Sequence, residues 1–188
     1  MDTRRAGTMP TVSLPADTTA TGATVFALRF TGYLYTVGLR DAFADLMARH
    51  EALRTVDPTR VNLVLSPEAA PVPDLVPVLV TPLELPGAVN EFLSPEAARA
   101  TSAPVRARSF RILGDPEDTP DHLLVIITNH HTTNRISPAR LTRDLMTAYA
   151  ARRRNLPPSW THRPHHLHVH ELRQVHLLDP TALTPAPV

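Results

Sequence analysis

The 188-residue chain has no cysteine, which excludes disulfides, thiolate metal sites and a cysteine nucleophile together. It has no lysine either. All nineteen basic residues are arginine, so a Schiff base or an amine nucleophile has no residue to form on. An excess of one charge is also lacking: the formal net charge is +1, which gives no electrostatic reason to expect nucleic acid or an anionic membrane as partner. No apolar run is long enough to cross a bilayer, and the N-terminus lacks the apolar stretch of a secretory signal. With no cysteine, these features suit a cytoplasmic protein. What is present is ordinary for one globular domain, with 43% hydrophobic and 20% charged residues, enough to bury a real core. Twenty prolines predict short elements with stiff connections.

Residues 1–22 are polar, rich in Thr, Ala and Pro and without periodicity, and read as a mobile leader; residues 23–178 read as the domain and 179–188 as a Pro-rich tail. Val25, Phe26, Leu28 and Phe30 predict a strand over residues 23–31, closed by Gly32. Thr36 is placed to cap a helix running to about Ala52, with Leu39, Phe43, Leu46, Met47 and Leu53 on its buried side. Alternation over residues 60–65 predicts a half-buried strand with Val61, Leu63 and Leu65 on one side. Residues 75–80 form a further strand candidate, which Pro77 assigns to a sheet edge. A short helix, or two broken at Pro95, is expected over residues 87–99.

The stretch DHLLVIITNHHTTN, residues 121–134, organises the reading. Its apolar run, Leu123 to Thr128, fits a strand buried on both faces. Residues 105–113 form a second strand with Arg106, Arg108 and Arg111 pointing outward, and the turn residues GDPEDTP join the two as an antiparallel hairpin. Directly after the buried strand come His130 and His131. A rigid strand that delivers an imidazole to a loop gives a general base what it needs; alternatively, both rings cap the strand and bond locally. Ser137 then caps a helix over residues 138–153, with Pro138 at its first position and Leu141, Leu145, Ala148 and Tyr149 as its packing face. A second helix is expected over residues 164–178.

Three stretches, in order, resemble the N-terminal lobe of the condensation domain of nonribosomal peptide synthetases. MARHEALRT (residues 47–55) resembles the RHExLRT motif, and PVRARSFRIL (residues 104–113) resembles the strand before the active-site hairpin. Asn129, His130 and His131 stand where the family has HHxxxDG, with residues 137–153 similar to the helix that follows. The resemblance implies a mixed α/β sheet with helices packed mainly on one face, one lobe like that of chloramphenicol acetyltransferase. It implies that His131 is catalytic, acting as general base toward an amine or alcohol near a carrier-bound thioester. His130 and Asn129 would then support the loop, while Thr132, Thr133 and Ser137 are pocket candidates. The motif departs where the family has Asp-Gly: this chain has Asn134, Arg135 and Ile136, none of them a carboxylate. The family places its tunnel between two lobes, and a second lobe is not recognised in the chain. That predicts a second protein surface, either a homo-oligomer or a carrier protein or synthetase module. Acyl transfer or a derived reaction such as cyclisation is the implied chemistry, with no cofactor. The alternative is a catalytically inactive module that recruits a carrier protein or tailoring enzyme.

Other constellations compete less well. Arg49, Glu51 and Arg54 read as a structural charge network at a helix end. His162, His166 and His170 would share a helix face at four-residue spacing, a geometry able to hold zinc or nickel, but a His-rich tract is only a compositional hint. The run Arg152 to Arg154 reads as a solvated helix terminus, with an acidic-partner docking patch as its rival, and Trp160 as a core or interface anchor.

Overall fold

The computed structural model describes residues 23–56, 63–94, 97, 103–114, 119–129, 136–160 and 174–178. In chain order these form β1 (Ala23–Thr31), α1 (Thr36–Arg49), β2 (Thr55–Val56), β3 (Leu63–Val64), β4 (Val78–Val80), α2 (Leu85–Leu93), β5 (Val105–Ile112), β6 (Asp121–Asn129), α3 (Pro138–Arg152) and β7 (Gln174–Leu178). Five strands make one mixed sheet in the order β4-β5-β6-β1-β7. Only the β4–β5 pair is parallel; β5–β6, β6–β1 and β1–β7 are antiparallel. β2 and β3 form a separate two-stranded ribbon.

β6 is the centre. It pairs with β1 along its whole length, from Thr31 opposite Asp121 to Ala23 opposite Asn129, and with β5 on its other edge. Successive side chains of a strand point to opposite faces, and here both faces are apolar. Leu124 and Ile126 join Phe26, Leu28 and Phe30 of β1 beneath α1 and α3. Leu123, Val125 and Ile127 join Phe110 and Ile112 of β5 and meet Leu85, Val89 and Phe92 of α2 on the other side. The longer helices therefore share one face and the short α2 covers part of the other, as the sequence predicts for this fold class.

α1 buries Leu39, Phe43, Leu46 and Met47, and α3 buries Leu141, Leu145, Ala148 and Tyr149. Ser137 accepts the Arg140 backbone N–H through its side chain, the expected N-cap. The cap of α1 differs from expectation. Tyr35 holds the cap position with no side-chain cap bond, and Thr36 is the first helical residue. The Tyr35 ring fills the space that a Cβ at Gly38 would need, and its backbone N–H donates to the Tyr149 hydroxyl at 2.9 Å. Packing against α3 thus fixes this helix start. α1 also ends earlier than expected, at Arg49, and residues Glu51–Arg54 form a separate tight turn.

Two further expectations are corrected. In β3, Leu63 is exposed, the ribbon being only two residues deep among the described residues, and residues 60–62 of the expected strand, Val61 with them, fall outside those residues. Residues 174–178 form a strand, not the end of a helix, and add antiparallel to β1. The free edge of β1 offers main-chain partners that local helical periodicity cannot reveal. α2 starts at Leu85, two residues before the expected position. Thr81 and Glu84 precede it as a reciprocal cap: the Glu84 carboxylate accepts from the Thr81 N–H at 2.9 Å and from its hydroxyl at 2.8 Å.

Charged groups fasten α1 to α3. Asp144 of α3 accepts from Arg49 Nε at 3.0 Å and pairs with His50 Nε2 at 2.8 Å. Asp45 of α1 takes a two-point bond from Arg152, at 2.6 and 2.7 Å, so that arginine is bound and not merely solvated. Trp160 packs against the core beside the Arg49 guanidinium, which stands 4.4 Å from its ring centre.

Two consequences can be measured. Asp144→Ala leaves Arg49 and the buried His50 without their shared acceptor, and urea unfolding should show a loss of about 2 kcal/mol. A second prediction concerns His122, which is buried opposite Phe30 and whose Nδ1 has no partner among the described residues. Burial holds its pKa below the usual 6.5, the Arg111 charge pushes the same way, and Asp121 opposes them. The unfolded chain therefore takes up this proton first as pH falls. The stabilisation is complete above about 6.5 and is lost as pH drops toward the lower folded value. His122→Leu should flatten the fall in unfolding midpoint between pH 7 and 5, and an unchanged slope would contradict it. His50, also held low by burial against the opposing pull of Asp144, should keep its part of the slope in that variant.

Candidate functional site

The buried β6 strand aims at one end of the sheet. Its last residue, Asn129, pairs with Ala23 at the start of β1, and Thr128 lies opposite Val105 at the start of β5. On the far side of residues 130–135, Ile136 packs against the core and Ser137 opens α3. The start of β5, the start of β1 and the end of β6 are therefore brought together by sheet register, and eight residues, 130–137, separate the end of β6 from the start of α3. His130, His131, Thr132, Thr133, Asn134 and Arg135 fall outside the described residues, as do the side chain of Asn129 and the trio His162, His166 and His170. Among the described residues no group of three or more His, Asp or Glu is placed to hold a metal ion.

The anchoring of this end is well defined. Thr128 is buried to 1% exposure, and its hydroxyl has no partner among the described residues. At the opposite end of the strand pair, Arg29 of β1 binds Asp121 of β6 through two-point contacts, with Nε at 3.0 Å from both carboxylate oxygens, which fixes the register by charge as well as by apolar pattern.

The charge network expected from Arg49, Glu51 and Arg54 is distributed differently. Arg49 meets Asp144. Arg54 donates to two backbone carbonyls, Met47 at 2.9 Å and Leu65, tying the end of α1 to the segment after β3. Glu51 is exposed and enters no ion pair among the described residues. The acid at this junction is Asp144. Sequence reading missed it, because its partners lie 94 and 95 residues away and only His50, an unusual buried histidine, hints at a distant carboxylate.

Under α2, the arginines of β5 are not simply outward. Arg106 is half-buried, with Nη2 donating to the Phe92 carbonyl at 2.6 Å and its guanidinium 4.8 Å from the Phe92 ring centre. Arg108 stands 5.5 Å from the same ring and is exposed. Burial, and then the Arg108 charge, lower the Arg106 pKa. Arg111 alternates onto the opposite face, across from His122. A small cleft of about 270 Å³ at the far end of α3 is lined by Tyr33, Tyr35, Arg153 and Asn155.

Comparison with known proteins places this geometry. The chain is 37% identical over 144 residues, 73% of its length, to the isonitrile lipopeptide synthase of Mycobacterium tuberculosis. It is 31% identical over 158 residues, 82% of its length, to a dimodular nonribosomal peptide synthase of Bacillus subtilis. Each match spans 6% of the relative. Among solved structures, the complex of the X-domain and OxyB from teicoplanin biosynthesis matches at 30% identity and a TM-score of 0.59, over 80% of this chain and 32% of that one. The starter condensation domain of rhizomide synthetase shares the fold, with a TM-score of 0.51 over 80% of the chain at 12% identity. No family model matches the chain. No helix among the described residues is long and apolar enough to cross a membrane. By its mixed sheet and its relatives, the chain is similar to the condensation-type proteins of nonribosomal peptide synthesis, and it carries the mixed α/β fold of a condensation-domain lobe.

Proposed function

We propose that this lobe acts on an acyl or peptidyl substrate, tethered to a carrier protein, in nonribosomal peptide or hybrid polyketide biosynthesis, with His131 as the general base. The observation that carries the reading is the placement of β6. A strand clamped on both edges and buried on both faces runs directly, in sequence, into the His130-His131 pair. An imidazole near its ordinary pKa is largely neutral at pH 7, and its free nitrogen can take a proton from an attacking amine or alcohol. The bond formed joins that nucleophile to the acyl carbon, and the carrier thiol leaves with the electron pair of the broken thioester bond. Asn129, Thr132, Thr133 and Asn134 are the polar candidates around the base, and Arg135 and Ser137 complete the loop. Residues 134–136 hold no carboxylate, so an ionic support for this segment would have to come from another part of the chain or from a partner. A second protein surface, from a synthetase module or another copy of the chain, would close the chamber.

A second reading has its own support. The structural match to an X-domain held in a complex with OxyB favours a lobe that recruits a tailoring enzyme without doing chemistry. The two readings separate cleanly. His131→Ala, with an unfolding midpoint equal to that of the parent, should lower product formation by about a hundredfold or more in the reconstituted pathway if the imidazole is the base. Unchanged product formation would assign the lobe to recruitment.

A further inference from the structure

Neither reading makes use of the two guanidinium groups beneath α2. Arg106 and Arg108 are alternate residues of β5 and so project from one face of the sheet. Both lie over the Phe92 ring, at 4.8 and 5.5 Å. The α2 terminus satisfies only one of them, through the Phe92 carbonyl, whose position in the last turn carries the negative end of the helix dipole. No carboxylate pairs with either arginine among the described residues. Glu91, next to Phe92, is exposed and joins neither. Two like charges are thus held side by side against an apolar surface with no carboxylate partner among the described residues, and burial, then the Arg108 charge, lower the Arg106 pKa. A bound anion would relieve that cost, and arginine's planar fork suits phosphate and carboxylate oxygens.

Register fixes where this pair stands. Arg106 lies opposite Ile127 and Arg108 opposite Val125, two and four residues before the end of β6. At about 3.3 Å per residue the pair sits roughly 7 to 13 Å back from the strand end that leads into the histidine loop. We propose that Arg106 and Arg108 form an anion subsite, with Phe92 as its floor, for the phosphate or carboxylate of the ligand that reaches that loop. The location relative to the chemistry rests on the condensation reading; the binding does not. A carrier-tethered substrate brings a phosphate on its pantetheine arm, whereas an untethered acid brings a carboxylate.

The test titrates the full chain with 4′-phosphopantetheine, with pantetheine lacking the phosphate, and with N-acetylglycine. Phosphopantetheine should bind, more weakly as salt is added, and Arg108→Ala should weaken it by about tenfold, the loss expected for one charged fork. Arg108 is exposed, so this variant should fold as the parent does. Arg108→Lys should recover only part of the affinity, because the charge remains without the fork. Pantetheine should bind at least about tenfold more weakly than its phosphate. Arg108-dependent binding of N-acetylglycine in place of phosphopantetheine would keep the subsite and identify its anion as a carboxylate. Binding indifferent to Arg108→Ala, or no binding of either anion, would overturn the proposal. None of these outcomes depends on whether His131→Ala abolishes product formation, so the subsite and the catalytic reading fail separately.

Discussion

The structure depends on one strand having no free side. β6 is hydrogen-bonded on both edges, and its alternate residues enter two separate apolar layers. A strand in that position cannot slip. Moving it by one residue would exchange Leu124 and Ile126 with Leu123, Val125 and Ile127 and would separate Arg29 from Asp121. Everything at the candidate site inherits this constraint, because Asn129 is the last paired residue before the two histidines.

The remaining elements hold that strand in its setting. α1 and α3 cover one face and are joined by Asp144 to Arg49 and His50, and by Asp45 to Arg152. α2 covers part of the other face, and its reciprocal cap at Thr81 and Glu84 fixes where it begins. The cationic pair on β5 stands against Phe92 of α2, and among the described residues no carboxylate pairs with it on that face. β5 therefore pairs with the strand that leads toward the histidine pair and presents arginine beneath α2.

Much of this was legible from residue order alone, and the reasons are physical. The bounds of β1 and the span of α3 followed from dense apolar periodicity and, for α3, from the Ser-Pro start, all of them local signals. The double burial of β6 followed from an apolar run with no alternation. What failed was long-range. Glu51 was expected in the charge network at the helix end, yet the carboxylate that meets Arg49 and His50 is Asp144, 94 residues beyond His50. Thr36 looked like the cap of α1, but the Tyr35 contact with Tyr149 sets that start. Residues 174–178 read as helix because their pairing partner, β1, lies at the other end of the domain. The Thr81-Glu84 cap was local and readable, and was lost only because α2 was expected to begin at Gly87. For the candidate site, residue order supplied the histidine pair, and the fold supplied the strand behind it; the arginine pair needed Phe92, which no spacing rule connects to β5.

The central claim is that β6 is a fixed rod, and amide hydrogen exchange tests it most directly. The backbone N–H groups of Leu123 to Thr128 should exchange only when the whole domain unfolds, with protection equal to the global stability measured by denaturant under the same conditions. Exchange of those amides through a local opening far below the global free energy would contradict the account.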